Sequence, residues 1–130
     1  MKILVVDDDA IVVKSCRRIL EAEGFEVSTI SNAESAVEAI KNSDFDLLLI
    51  DLKMPKRDGM YLMREVKKSW PEIPIIVMSG YPTPKTIADV LNLGANQFIP
   101  KPFKPDELTK SIHELLQKVP IKQPFPTGAG

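Results

Sequence analysis

The sequence Phe45-Asp46-Leu47-Leu48-Leu49-Ile50-Asp51, followed at once by Leu52-Lys53-Met54-Pro55, decides the fold of this chain. Its apolar part is too short for an independent helix, and turn residues follow it. Such a short continuous run is typical of a strand buried on both faces, as in the middle of a parallel sheet. Asp51 then lies at the carboxyl end of that strand, where open α/β sheets bind ligands. A single aspartate there often only caps a loop, so its role depends on the residues that arrive beside it.

Length and composition limit the class of protein. A chain of 130 residues that is 44% hydrophobic forms one domain with a single core. The net charge of −1 argues against a basic face for nucleic acid or a membrane surface. One cysteine, Cys16, allows no intrachain disulfide and indicates a reducing compartment. No signal sequence opens the chain and no run approaches membrane-spanning length, so we expect a cytoplasmic domain.

A second buried-strand pattern, Lys2–Val6, ends in three consecutive aspartates, Asp7-Asp8-Asp9. Asp9 can cap the helix that follows, where a carboxylate also meets the helix dipole favourably. Capping does not explain three acids in a row, because two unit charges about 4 Å apart repel by roughly 4 kcal/mol at an effective dielectric of about 20. A divalent cation bound among them would relieve that repulsion.

The segment between these two strands predicts a helix, a strand and a second helix. Apolar residues recur at helical spacing over residues 10–23, and Cys16, which falls on that stripe, is interpreted as core. Residues 25–30 alternate between apolar and polar, as a half-buried strand does. Ser31 and Glu34 have the spacing of a capping box. The inner face of the next helix is then expected to hold Ala36, Val37 and Ile40.

The half of the chain after Asp51 repeats this alternation. Apolar runs at residues 73–78 and 97–99 predict two more strands. Helices are expected to begin near Asp58, Pro84 and Pro105. Their inner faces are predicted to hold Leu62, Met63, Val66, Ile87, Val90, Leu91, Leu108, Ile112, Leu115, Leu116 and Val119.

Five strand–helix pairs in about 120 residues predict a doubly wound (βα)5 domain. Right-handed crossovers between parallel strands produce a three-layer α/β sandwich. We expect the domain to occupy residues 1–119. Residues 120–130 are rich in proline and glycine without periodicity, so they are interpreted as a linker stub or a disordered tail.

Four of the five strands end in groups suited to phosphate chemistry. Because parallel strands end at one edge of the sheet, these groups can converge there: Asp7 and Asp8, Asp51, Ser79 and Lys101. Carboxylates bind a hard divalent cation, most plausibly Mg²⁺ with Mn²⁺ as the alternative. A carboxylate can attack phosphorus, a lysine and a metal ion can neutralise a phosphoryl group, and a serine hydroxyl can hydrogen-bond it.

The chain resembles the receiver domain of two-component response regulators. The motifs that carry the resemblance are Val5-Val6-Asp7-Asp8, Asp51-Leu52-Lys53-Met54-Pro55 with Asp58-Gly59, Met78-Ser79-Gly80 and Lys101-Pro102-Phe103. Each alone is weak, but all four in this order, each at a strand end, are very specific. The resemblance covers residues 2–119 and implies the flavodoxin-like strand order 2-1-3-4-5.

The resemblance implies a role for each matching position. Asp51 corresponds to the aspartate that accepts a phosphoryl group from a kinase phosphohistidine. Asp7, Asp8, Asp51 and the backbone carbonyl of Lys53 correspond to the Mg²⁺ ligands. Lys101 corresponds to the phosphate-contacting lysine, in a Lys101–Pro102 peptide that is cis in similar proteins. The residues that match the switch pair, a hydroxyl and an aromatic ring, are Ser79 and Phe98.

Four positions are expected to set the properties of the switch in this chain. Ser79 stands where threonine is commoner, and Phe98 stands where a tyrosine often lies. Lys53 and Tyr81 match positions that flank the phosphoryl group, where a long cation and a bulky ring could restrict attacking water. We therefore expect these two residues to lengthen the life of the phosphorylated state.

The resemblance also implies partners and an output. The phosphoryl donor would be a sensor histidine kinase or a phosphotransfer protein. The signal would leave through the face formed by the fourth helix, fifth strand and fifth helix, towards an output domain or a downstream protein, and a homodimer could form through the same face. Such a domain is not an enzyme in the usual sense, although it assists its own phosphorylation and dephosphorylation.

The sequence leaves three other hypotheses of function open. An aspartyl phosphatase of similar fold carries Asp-x-Asp with a general acid two residues after the nucleophile, where this chain has Lys53. A flavodoxin-like flavin binder has a hydroxyl- and glycine-rich loop after the first strand, where this chain has aspartates. A degenerate receiver would act only as a protein-binding module.

Overall fold

Strands and helices alternate along the whole described chain, as the apolar periodicity predicts. The computed structural model describes residues 1–54, 58–80 and 83–118. Its elements are β1 (Lys2–Val6), α1 (Ala10–Ala22), β2 (Glu26–Ile30), α2 (Ala33–Asn42), β3 (Leu47–Asp51), α3 (Gly59–Ser69), β4 (Ile75–Ser79), α4 (Pro84–Asn92), β5 (Gln97–Pro100) and α5 (Pro105–Lys118). Val119 and the predicted tail at 120–130 lie outside the described residues.

The five strands form one parallel sheet in the order β2-β1-β3-β4-β5. This is the predicted doubly wound, flavodoxin-like fold, and the prediction is confirmed. The chain runs outward from β1 to β2 and then crosses back to β3, so the direction of winding changes between β1 and β3. The carboxyl ends on either side of such a switch point form the crevice in which open α/β sheets bind ligands.

Alternation along the strands divides the core into two layers. In β3, Leu48 and Ile50 face the layer that α2, α3 and α4 cover, whereas Leu47 and Leu49 face the layer under α1 and α5. All five residues of β3 are buried. The predicted inner faces of α3 and α5 are confirmed at six buried positions, which are Leu62, Met63, Val66, Leu108, Ile112 and Leu115.

Side-chain caps begin four of the helices, α1 to α4, close to their predicted starts. Asp9 Oδ1 accepts the backbone N–H of Ile11 at 2.9 Å, and Asp58 Oδ1 accepts that of Tyr61 at 3.1 Å. The predicted capping box of Ser31 and Glu34 is wrong, because Asn32 is the cap of α2 and accepts the N–H of Ser35 at 2.8 Å. Serine and asparagine cap equally well, and starting one residue later moves Glu34 out of the third helical position that a capping box requires.

Helix α4 differs from its prediction at one position. Val90 is buried and Ile87 is half-buried, but Leu91 is 45% exposed. Successive helical residues point about 100° apart. A helix that covers the β4–β5 side of the sheet through Val90 therefore turns Leu91 outward. Cys16 is buried, as predicted.

The helices of the described ranges are short and amphipathic. None of them has the length and apolar character needed to cross a membrane.

Candidate functional site

Three strands bring charged side chains from distant parts of the sequence to one point. Asp7 directly follows β1, Asp51 ends β3, and Lys101 directly follows β5. Lys101 Nζ lies 2.8 Å from Asp7 Oδ2 and 2.9 Å from Asp51 Oδ1. A single ammonium group therefore bridges two carboxylates that belong to neighbouring strands.

These carboxylates are buried, which is unusual for charged groups. Asp7 is 0% exposed and Asp51 is 5% exposed, whereas Asp8 is exposed. Within the described ranges, the buried polar side chains are Asp7, Asp51 and Ser79, and all three follow or end a strand at this edge. Buried charges are unfavourable unless they are paired and hydrogen-bonded. Their concentration at the carboxyl edge marks it as the candidate site.

Backbone hydrogen bonds position Asp7 and Lys101, the two charged groups beside Asp51. The N–H of Asp9 donates to Asp7 Oδ1 at 2.9 Å, so both oxygens of Asp7 accept hydrogen bonds. The backbone N–H of Lys101 donates to the carbonyl of Ser79 at 2.8 Å, which ties the end of β5 to the end of β4. The Lys101–Pro102 peptide is cis, as the resemblance implied.

The environment changes the acidity of two groups. Burial raises the pKa of Asp51 to about 6, and the negative charges of Asp7 and Asp8 add to this shift, while the hydrogen bond from Lys101 opposes it. Burial tends to lower the pKa of Lys101, but its hydrogen bonds to Asp7 and Asp51 outweigh burial and raise that pKa above its usual value. At neutral pH the site therefore holds a firmly protonated lysine beside a carboxylate that binds protons more readily than an ordinary aspartate.

The acidic cluster has the donors that a divalent cation needs. Asp7, Asp8 and Asp51 each offer a carboxylate oxygen, and these three oxygens lie within 4.8 Å of one another. An octahedral ion with metal–oxygen distances of about 2.0–2.1 Å keeps its ligands roughly 3–4 Å apart, so small side-chain movements suffice to bind one. Asp8 is exposed and leaves the cluster open to solvent. The cluster can thus hold a metal ion.

Comparison with known proteins agrees with this geometry. Residues 3–113 match the family model of the response regulator receiver domain. The chain belongs to this family. Receiver domains are signalling modules rather than enzymes in the usual sense, so membership decides against the aspartyl phosphatase and the flavin binder that the sequence left open.

The relatives of this receiver domain are response regulators. Response regulator SaeR from Staphylococcus aureus is 32% identical over 117 residues, which cover 90% of this chain and 51% of that protein. The chain therefore spans about half the length of this curated relative.

Solved structures show the same fold. A CheY-like receiver domain from Methanospirillum hungatei matches with a TM-score of 0.85 and 36% identity, over 90% of this chain and 94% of that one. NtrX from Brucella abortus matches with a TM-score of 0.86 and 35% identity, over 90% of this chain and 27% of that one.

The predicted switch residues of the receiver domain share one face of the sheet. Ser79 is the last residue of β4 and is 2% exposed. Phe98 in β5 pairs with Val77, is half-buried and packs against the core layer under α2, α3 and α4. Val77 and Ser79 are two residues apart and so project to the same side. Of the predicted flanking residues, Lys53 is exposed, and Tyr81 lies outside the described residues.

Sequence reasoning missed two contributions to the site of this receiver domain. Asp9 was assigned only a helix cap, but its N–H also binds Asp7. Gly59 was named only as part of a motif, but its backbone N–H donates to the carbonyl of Leu52, the residue after Asp51. Neither contact has a local sequence signal, since an aspartate before a helix and an Asp-Gly pair both occur in ordinary turns.

Proposed function

We propose that this receiver domain is a phosphorylation-activated switch in which Asp51 accepts a phosphoryl group from the phosphohistidine of a sensor histidine kinase or a phosphotransfer protein. One observation carries the proposal: Asp51, at the end of the central strand of the sheet, lies 2.9 Å from Lys101 and within reach of two further carboxylates. This arrangement combines a nucleophile, a fixed cation and donors for a metal ion at a single edge.

The transfer step needs an ionised Asp51. With a pKa of about 6, the carboxylate form outnumbers the acid by roughly ten to one at pH 7. One carboxylate oxygen attacks phosphorus, a P–O bond forms, and the P–N bond of the phosphohistidine breaks with its electron pair returning to the imidazole nitrogen. Lys101 then compensates negative charge on the phosphoryl oxygens. The domain assists this step, and the later hydrolysis, by positioning these groups.

Mg²⁺ is the proposed cofactor, with Mn²⁺ as an alternative that uses the same oxygen ligands. Asp7, Asp8 and Asp51 would hold it together with the backbone carbonyl of Lys53. When all three acids are ionised, three carboxylates and the Lys101 ammonium leave a charge of −2 at the site, which a divalent cation neutralises. A bound Mg²⁺ supplies positive charge to the transferring phosphoryl group.

Phosphorylation is proposed to act through Ser79 and Phe98. The new phosphoryl oxygens would accept a hydrogen bond from Ser79, and the half-buried Phe98 would repack in the space that Ser79 leaves. Changing a two-state ratio from 1:99 to 99:1 needs about 5.5 kcal/mol. Two to four hydrogen bonds to charged groups, at about 1.5–3 kcal/mol each, are sufficient.

The output surface is proposed to be the face formed by α4, β5 and α5. It would control an output domain or a downstream protein, or form a homodimer. An output domain is supported by the relative SaeR, a response regulator about half of whose length this chain matches. The domain is proposed to occupy residues 1–119, with a linker stub or a disordered tail at 120–130, in the cytoplasm. Lys53 and Tyr81 are proposed to slow hydrolysis, which faster phosphoryl loss from a Lys53→Ala, Tyr81→Ala variant would support.

Phosphoryl uptake tests the proposal directly. The protein is incubated with a small acyl phosphate, with and without Mg²⁺, and weighed intact by mass spectrometry. We expect a gain of one phosphoryl group that requires Mg²⁺ and is absent in Asp51→Asn. A phosphoryl group retained in Asp51→Asn would contradict the assignment of the acceptor.

Beryllofluoride separates the two causes of a missing adduct. This phosphoryl mimic binds an intact acceptor site without chemistry, so binding with no adduct indicates rapid hydrolysis. Failure of both would support the degenerate receiver that acts only as a protein-binding module.

A further inference from the structure

The residue that follows Asp51 is held from two sides. The N–H of Leu52 donates to the carbonyl of Met78 in β4 at 3.0 Å, and the carbonyl of Leu52 accepts the N–H of Gly59 at 2.9 Å. The first bond continues the sheet, while the second comes from the first residue of α3. The two peptide groups that follow Asp51 in the chain are therefore held between a strand and a helix.

Gly59 allows this arrangement because it has no side chain. A Cβ atom at position 59 would lie 2.5 Å from the carbonyl oxygen of Asp51, 2.9 Å from Leu52 Cα and 3.1 Å from Ile50 Cγ2. Two of these neighbours are backbone atoms, which cannot move aside as the end of a flexible side chain can. The first turn of α3 thus lies directly on the backbone of the phosphoacceptor strand.

We propose that Gly59 is a positioning residue that sets the place of the Asp51 carboxylate and of the adjoining metal ligands. The inference rests on the function proposed above. Any side chain at position 59 pushes the Asp51 carbonyl away from α3, and the carboxylate moves with its backbone. The same displacement disturbs the Leu52 peptide, which immediately precedes the proposed Lys53 carbonyl ligand.

A small shift of the Asp51 carboxylate is enough to disturb its contact with Lys101 and the proposed metal site. Lys101 Nζ lies 2.8 Å from Asp7 and 2.9 Å from Asp51, so movement of Asp51 alone lengthens one contact and spares the other. Mg²⁺ requires near-octahedral ligands. Residues that orient metal ligands typically change metal affinity by about 10–100-fold when they are replaced.

The change in stability caused by Gly59→Ala tests the inference as well as the change in function does. Gly59 is the first residue of α3, after the Asp58 cap. Replacing glycine with alanine in a helix ordinarily stabilises a protein by reducing backbone entropy in the unfolded chain. Because a Cβ atom at position 59 would lie so close to the backbone of Asp51 and Leu52, we expect Gly59→Ala to lower the thermal midpoint instead.

Two variants separate positioning from general damage. Val66→Ala removes volume from the buried face of the same helix without touching Asp51, so it lowers stability through the core. Gly80→Ala adds a methyl group beside Ser79, and among the described residues no atom beyond the chain neighbours of Gly80 would lie within 4 Å of it. We measure thermal midpoints, Mg²⁺ binding by calorimetry and the rate of phosphoryl uptake for all three variants.

We expect Gly59→Ala to weaken Mg²⁺ binding and to slow uptake by about tenfold or more. Val66→Ala and Gly80→Ala should both stay within about twofold of wild type in these two measurements. Equal losses in Gly59→Ala and Val66→Ala at matched loss of stability would overturn the inference, as would wild-type Mg²⁺ affinity in Gly59→Ala.

A second variant keeps the test decisive if Gly59→Ala does not fold. Asp58→Ala removes the hydrogen bond to the Tyr61 N–H and loosens the same turn without adding volume. We expect it to weaken Mg²⁺ binding more than Val66→Ala does, and the opposite order would refute the positioning role. Wild-type protein that takes up no phosphoryl group and binds neither Mg²⁺ nor beryllofluoride would instead refute the proposed function itself.

Discussion

The centre and the end of strand β3 are equally buried but chemically opposite. Leu47–Ile50 are 0% exposed and apolar, and each is paired within the sheet. Asp51, the next residue, is 5% exposed and carries a carboxylate. Burying a leucine or isoleucine side chain contributes about 1.5–3 kcal/mol, whereas burying a carboxylate is unfavourable unless its partners compensate. One strand therefore supports the fold through four residues and places a buried carboxylate at the candidate site with the fifth.

Compensation at the strand end is incomplete. Lys101 contacts Asp51 at 2.9 Å but shares its ammonium group with Asp7. The pKa of Asp51 remains raised to about 6, which means that the folded protein favours the protonated form relative to the unfolded chain. The sheet edge thus retains an unfavourable negative charge, and the apolar centre of the strand provides the stability that tolerates it.

The largest effect is expected at the centre of the strand. Leu49→Ala removes a fully buried side chain from the layer under α1 and α5, and it should lower the free energy of unfolding by about 2–5 kcal/mol. Urea denaturation followed by circular dichroism measures this loss. Phosphoryl uptake at a temperature where the variant remains folded should stay near wild type. A loss below about 1 kcal/mol would show that this layer can collapse around the missing volume.

At the end of the same strand, removal of the charge should have the opposite sign. Asp51→Asn should raise the free energy of unfolding by about 1–3 kcal/mol at pH 7 with divalent ions removed by a chelator. The neutral amide can still accept a hydrogen bond from Lys101, but it carries no buried charge. The measurement is urea denaturation of both proteins, and a variant less stable than wild type would show that the Lys101 pair stabilises the fold.

The pH dependence of this gain follows from the raised pKa. The pKa of an ordinary aspartate carboxyl is 3.8, and that of Asp51 is about 6 in the folded protein. Between these values the folded state binds more protons, so stability falls as pH rises. The contribution of protonated Asp51 is fully present below about pH 3.8 and is lost once pH exceeds about 6. The advantage of Asp51→Asn should therefore grow from pH 4 to pH 7, and an advantage independent of pH would exclude this cause.

The sequence is informative wherever a local pattern is tied to a single structure. The apolar run Leu47–Ile50 is too short for a helix, so it predicts a buried strand. The residue after it must then lie at the sheet edge. The convergence of Asp7, Asp51 and Lys101 follows once the strands are parallel, because parallel strands end together. The order of the strands and the assignment of roles came from the family resemblance rather than from these patterns.

Other features depend on energies or contacts that no local pattern contains. Ser31 and Asn32 are both good helix caps, so the choice between them rests on where α2 packs. Val90 and Leu91 are both apolar, and only the position of α4 on the sheet decides which one is buried. The contact of Gly59 with Asp51 joins two elements whose approach is set by the whole core. Such features are decided by tertiary packing and cannot be predicted from a local pattern.

The smallest effect is expected for an ion pair at the same distance as that of Asp51. Lys85 Nζ lies 2.9 Å from Asp89 Oδ2, but its side chain is 85% exposed, whereas that of Lys101 is 19% exposed. Water screens the surface pair, and a lysine placed four residues before its acid is the less favourable order in a helix. Lys85→Ala should change the free energy of unfolding by less than about 0.5 kcal/mol in urea denaturation. A loss above about 1 kcal/mol would mean that distance, rather than burial, governs the strength of ion pairs in this domain.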